Sequence, residues 1–152
     1  MPSYEVEEVA DGLKFSFPYV EGFNRFNDGV EGDTRDVLYH YHLTYPFSTL
    51  LTVEPIGSDA RFFIADVASP VSARESLIFQ ILSDNTGAID AEYWIKDALT
   101  INEEDRPLVE NQHPENLPLD LQAEMHIPAD RMSIAYRRGL VRHFGLGAPI
   151  AS

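Results

Sequence analysis

The sequence predicts an α+β protein, and three observations carry that prediction. Extended, alternating segments fill the first two thirds of the 152 residues, helical spacing fills the last third, and short turns join the successive extended segments. Strands first and helices last, with neighbours close in sequence, imply an antiparallel sheet with helices packed on it. Hydrophobic residues make up 44% of the chain and aromatics 11%, enough for a core at this length, so one domain over residues 1–152 is expected.

Each element has its own signal. Tyr4-Val9 alternates, Asp11-Gly12 reads as a hairpin turn, and Leu13-Tyr19 continues with Leu13, Phe15 and Phe17 on one face. Residues 20–36 hold three glycines and many polar groups and read as a loop. Val37-Thr44 and Phe47-Val53 form two strands around Tyr45-Pro46. The turn Pro55–Asp59 leads to strands Arg61-Ala68 and Ser76-Ser83. A helix then starts with Asp90 as N-cap and runs to about Gln112 before Pro114. Pro107 lies inside it, so a kink is expected around Ile101–Glu104. Leu117-Pro-Leu-Asp-Leu is an irregular connector, and a second helix is expected over Asp130–Phe144, with Asp130 as N-cap and Gly145 as stop.

Composition excludes several functions. The net charge of −14 disfavours nucleic acid and anionic membrane, which both need clustered cations. Solubility accounts for the acidity most simply. The absence of cysteine removes disulfides, thiolate zinc sites, cysteine nucleophiles and cysteine-held iron–sulfur clusters, and fits a cytoplasmic protein. No apolar run approaches the length of a bilayer span, and the acidic start Met1-Pro-Ser-Tyr-Glu-Val-Glu-Glu lacks the apolar stretch of a signal peptide.

Candidate site residues come from spacing and context. Trp94, Ala98, Ile101 and Asp105 fall on one helix face, since eleven residues make about three turns. A carboxylate ending such a stripe suits an apolar pocket; from pattern alone the solvated run Glu103-Glu104-Asp105, with Arg106 as partner or near the kink, is the simpler reading. Asp66 interrupts the apolar strand Phe62–Ala68, either as a pocket group that orients a ligand or as an acid satisfied by an arginine. Thr49, Leu51 and Val53 share a face that lines either the same cavity or the sheet core. His40 and His42 also share a strand face, a geometry open to metal binding but more often structural or pocket-polar on a tyrosine-rich strand. His113 and His126 look exposed, and His143 suits the dipole at a helix end.

Asn102-Glu-Glu-Asp-Arg-Pro-Leu-Val-Glu-Asn-Gln112, followed by Leu117-Pro-Leu-Asp120, resembles the C-terminal iron-ligand helix of Rieske non-haem iron oxygenases, in the vanillate O-demethylase and phenylpropionate dioxygenase-like branch. Tyr4–Leu13 and the Ala-Tyr-Arg-Arg segment at 135–138 extend the resemblance over nearly the whole chain. It departs at Gly139-Leu140, where the family often has Trp-Leu, and a glycine there is expected to weaken the helix.

The resemblance implies a helix-grip domain, a curved sheet closed on a long helix. It implies Asp105 as the carboxylate of a two-His, one-carboxylate Fe(II) site, with Thr49, Leu51, Asp66, Trp94, Ala98 and Ile101 around an apolar or aromatic substrate. The family's His-x4-His segment and its [2Fe-2S] Rieske domain have no counterpart in these residues. The chain is therefore expected to be part of an oxygenase, inactive alone. Its partners would be a Rieske-containing portion and a ferredoxin or reductase, and homo-oligomeric assembly stays open. The alternative is a stand-alone domain that binds an apolar molecule without catalysis.

Overall fold

The computed structural model describes residues 4–22, 34–87 and 90–147. Six strands form one antiparallel sheet in sequence order: β1 (Val6–Val9), β2 (Gly12–Gly22), β3 (Thr34–Thr44), β4 (Ser48–Pro55), β5 (Phe62–Ser72) and β6 (Glu75–Asp84). Two helices follow, α1 (Ala91–Glu110) and α2 (Arg131–Phe144), separated by an irregular connector with short 3-10 turns at Leu121–Ala123 and Pro128–Asp130. The α+β expectation holds.

Several boundaries differ from the sequence reading. Val9 pairs with Gly12, so the two-residue turn is Ala10-Asp11 and Gly12 already belongs to the sheet. A Cβ on Gly12 would meet the Leu43 carbonyl oxygen at 1.8 Å, so this position requires glycine for close backbone approach rather than for the turn. The loop expected over 20–36 is shorter at both ends. β2 continues to Gly22 and β3 starts at Thr34, with Val20↔Asp36, Glu21↔Arg35 and Gly22↔Thr34 paired; residues 23–33 of that loop lie outside the described residues. α1 is helical through 101–104, where the kink was expected, and continues past Pro107 to Glu110.

Caps explain where the helices start and stop. Asp90 Oδ1 accepts from the Tyr93 amide at 2.8 Å, the expected N-cap of α1. Gly145 ends α2 at φ 64°, its amide donating to Val141 O at 3.0 Å. Asp130 does not cap α2 with its side chain. Its Oδ2 instead accepts from the Ile127 amide at 2.8 Å and closes the 3-10 turn that feeds the helix.

The strand registers put one set of side chains on the inner face of the sheet. It comprises Leu13, Phe15 and Phe17 of β2, Val37, Tyr39, Tyr41 and Leu43 of β3, and Thr49, Leu51 and Val53 of β4. Phe62, Ile64 and Asp66 of β5 and Gln80, Leu82 and Asp84 of β6 continue the same face. Two cores form on it. Val37, Val53, Phe62 and Trp94 are buried together under the start of α1. Tyr4, Phe15 and Phe17 are buried on the β1–β3 side, with Met132 of α2 against them. The two helices therefore grip the two sides of one sheet face and leave the middle less covered.

Gly139 has a packing role that helix propensity does not show. It is buried, and a Cβ there would meet the Tyr45 hydroxyl at 1.9 Å. The glycine admits the Tyr45 ring against α2, where it stacks on Tyr136 at 6.0 Å between centroids. A residue that lowers helix propensity is thus what docks the β3–β4 turn. Arg137, also buried, donates to Pro118 O at 3.2 Å and pairs with Glu124, tying the connector to α2.

Candidate functional site

α1 crosses the inner face along β5 and β6. Trp94 is 7% exposed and meets the Phe62 ring at 6.3 Å between centroids. Eight residues further on, the Asn102 side-chain amide donates to Gln80 Oε1 at 3.4 Å. Eight helical residues rise about 12 Å and four strand residues advance about 13 Å. The step from Trp94 to Asn102 therefore matches the step from Phe62 to Asp66, and helix and strand run alongside each other. Opposite the Trp94 stripe, Ile95 is 61% exposed.

Between these anchors the inner sheet face forms a floor beside α1. Thr49 pairs with Asp66 across β4 and β5, and Leu51 with Ile64, so the sequence-predicted Thr49, Leu51 and Asp66 come together on one face. All three are partly buried. Leu51 also packs against the Trp94 core. Asp66 Oδ1 accepts from Gln80 Nε2 at 3.0 Å, so its partner is a glutamine on the next strand, not an arginine. Burial first, and the Asp66 carboxylate second, push the Tyr41 hydroxyl above the usual phenol range. Ala98 is partly buried one turn after Trp94.

The far half of α1 is exposed, including Ile101 at 47% and Asp105. Arg106 does not take Asp105 as partner. It pairs with Glu103 at 2.5 Å and approaches Glu110 at 3.9 Å. Among the described residues Asp105 has no ion pair, and helical geometry sets it one turn beyond Asn102 on the Trp94 side.

An iron ion held by two histidines and a carboxylate needs all three donors together. His40 and His42 lie on the opposite sheet face and are engaged separately. His40 Nδ1 meets Ser16 Oγ at 2.7 Å and its Nε2 lies 3.5 Å from Glu54; His42 Nε2 lies 3.2 Å from Asp11. His126 Nε2 meets Leu121 O at 2.9 Å in the connector and is partly buried, against expectation, and the His143 ring lies 5.4 Å from Tyr45. Among the described residues no group of three or more His, Cys, Asp or Glu gathers. These residues alone do not fit an iron centre; they offer one carboxylate. Among the described residues no acid joins His40 and His42 in a group that could hold a metal.

Other features of this face escaped sequence reasoning. Arg35 Nη2 pairs with Glu21 Oε2 at 2.8 Å, the Tyr39 hydroxyl donates to Glu21 Oε1 at 2.7 Å, and Arg35 lies 5.3 Å over the Phe62 ring. Burial, together with the Glu21 carboxylate, pushes the Tyr39 hydroxyl upward. Gln80 is a polar interruption in the apolar run Leu77–Leu82, and that was its available signal. Asn102 had none, since only the crossing of α1 over β6 makes it face Gln80. A cleft of about 370 Å³ between α2, the connector and the β3–β4 end includes Leu43, Thr49, Ala68, Met132 and Tyr136, so Thr49 borders it as well as the floor. Among the described residues, a larger hollow of about 860 Å³ is lined by α1 alone, from Glu92 to Glu104.

Known proteins place this architecture. The family model described as the vanillate O-demethylase oxygenase C-terminal domain matches residues 6–143. Methylxanthine N1-demethylase NdmA of Pseudomonas putida is 29% identical over 106 residues, 67% of this chain and 28% of that protein. The structure of Pseudomonas putida CBB5 NdmA with caffeine superposes with a TM-score of 0.69 at 23% identity, covering 91% of this chain and 38% of that one. The NdmA QL mutant with theobromine gives 0.60 at 19% identity, covering 90% and 59%. At these identities the solved structures speak for the fold. The chain spans 28% of the length of the curated relative it matches. The match over residues 6–143 decides the family: this chain belongs to the vanillate O-demethylase oxygenase C-terminal domain family, the C-terminal catalytic domain of Rieske-type oxygenase alpha subunits.

Proposed function

We propose that residues 1–152 act as one domain that forms the substrate-facing wall of a cytoplasmic Rieske-type oxygenase and supplies one iron ligand, Asp105. Thr49, Leu51, Asp66, Trp94, Ala98 and Ile101 surround an aromatic or related apolar substrate that the assembled enzyme hydroxylates or demethylates. The observation that carries this reading is the lie of α1: anchored by Trp94 on Phe62 and Asn102 on Gln80, it sets Asp105 one turn past the floor residues, without an ion pair among the described residues. The NdmA structures are with caffeine and, for the QL mutant, with theobromine, methylated planar heterocycles, and ligands of that size and shape suit a floor of Leu51, Ile64 and Trp94. The histidine ligands, the [2Fe-2S] centre and electron delivery by a ferredoxin or reductase belong to the rest of the oxygenase. Oxygen chemistry is assigned to the assembly and not to this chain.

Complementation tests this reading. The chain is co-expressed with an oxygenase portion carrying the Rieske domain and the His-x4-His segment, and oxygen-dependent demethylation of a methylated aromatic is followed. Activity restored by the wild-type chain and absent with Asp105→Ala supports the proposal; equal activity with both chains contradicts it. The second reading, a binding domain without catalysis, is favoured by the partly covered apolar floor. It predicts apolar-dye binding without metal and no complementation.

A further inference from the structure

A carboxylate can only accept hydrogen bonds, whereas a primary amide has a donating and an accepting end. Asp66 Oδ1 takes the Gln80 Nε2 group at 3.0 Å, which fixes the glutamine with Oε1 directed at α1. Asn102 Nδ2 gives that oxygen a donor at 3.4 Å. The asparagine is thereby fixed too, with its carbonyl Oδ1 as the remaining end. The carboxylate orients both amides in sequence. Among the described residues, neither Asn102 Oδ1 nor the second oxygen of Asp66 receives a side-chain donor.

Cations on the same face are scarce. Among the described residues, Arg35 is the one Lys or Arg that the strand registers place there. It is committed to Glu21 at 2.8 Å and stacked on Phe62. An anionic ligand lying on this floor would face Asp66 with no free cation from the sheet to compensate it.

We propose that Asp66, Gln80 and Asn102 form a directed hydrogen-bond relay that ends in acceptors, so that this domain selects a neutral or cationic aromatic ligand bearing an O–H or N–H donor over an aromatic carboxylate. This rests on the reading of the inner face as the substrate wall. It sharpens that reading, because aromatic acids are then excluded as substrates.

Trp94 is the single tryptophan of the chain and borders the floor, so its emission reports occupancy without iron or turnover. The experiment titrates the 152-residue chain with meta-methoxyphenol, methoxybenzene and meta-methoxybenzoate, in the wild type, in Asp66→Asn and in Asn102→Leu. The expected result is that the phenol binds about ten-fold tighter than methoxybenzene, the worth of one hydrogen bond to a charged acceptor, and that the benzoate binds weakest. Asp66→Asn removes both the charge and the fixed amide direction, so the preference against the benzoate collapses. Asn102→Leu, at an exposed position, keeps the fold and reduces the preference for the phenol. Equal binding of the three probes, or tightest binding of the benzoate, overturns the relay while the cavity reading stands. No response of Trp94 to any probe overturns the cavity reading, and the relay with it.

Discussion

Asp66 and Asp105 are both carboxylates proposed for the site, and their surroundings differ. Asp66 is partly buried and held by Gln80, which suits orienting a ligand. Asp105 is exposed and free of Arg106, which suits a ligand that meets its metal only when another part of the enzyme closes over it. Gly139 is a second residue whose role is local. Gly139→Ala is expected to lower stability by about 1–3 kcal/mol, because a methyl must displace the Tyr45 ring; urea unfolding measures this, and an unchanged midpoint would mean the turn docks differently. Asp84 gives a pH-dependent prediction. Its carboxyl is held below the usual range, first by the Thr86 hydroxyl, then by the Thr86 and Gly87 amides, with Trp94 contributing. A lowered folded value means that its contribution is present above the unfolded value and is lost as pH falls through the folded one. Trp94 emission should therefore shift as pH drops below about 4, and Asp84→Asn should remove that transition.

At the scale of elements, the strands were the most legible part of the sequence. Alternation in Leu13-Phe15-Phe17 and in Thr49-Leu51-Val53 assigned their inner faces correctly, because a period of two leaves little choice when one face is buried. Turn chemistry misled at Asp11-Gly12, where glycine answers to the Leu43 carbonyl across the sheet, a contact distant in sequence. Helix termini were legible where a side chain makes the cap, as at Asp90, and not where a preceding 3-10 turn competes for it, as at Asp130. Asp90→Ala should cost about 0.5–2 kcal/mol and fray the first turn of α1. Because Trp94 lies in the next turn, thermal unfolding followed by its emission would show the loss; no change would mean that packing on Phe62 alone fixes the helix start.

At the scale of the molecule, the sheet carries two helices on one face, and the described helices include none long and apolar enough to cross a membrane. Four tyrosine hydroxyls, of residues 39, 41, 45 and 136, are raised above the usual phenol range, burial being the first cause in each. Groups raised in the folded state keep their contribution below the unfolded value and lose it as pH rises, so stability should fall above about pH 10. Denaturant midpoints between neutral pH and pH 11 check this, and a flat profile would contradict the buried aromatic wall. The site was only partly legible at this scale. Helical spacing aligned Trp94 with Asp105, and strand spacing aligned Thr49 with Leu51, but the register that sets Gln80 between Asp66 and Asn102 depends on how α1 crosses β6. The central claim, that Asp105 completes an iron site shared with the rest of a Rieske-type oxygenase, is tested most directly by metal content. Iron in excess of the cluster is measured in the complex of this chain with a portion carrying the Rieske domain and His-x4-His, for the wild type and for Asp105→Asn. The account predicts about one additional iron per wild-type complex and a loss of that iron in the variant with the complex still formed; retention of the iron by Asp105→Asn would contradict it.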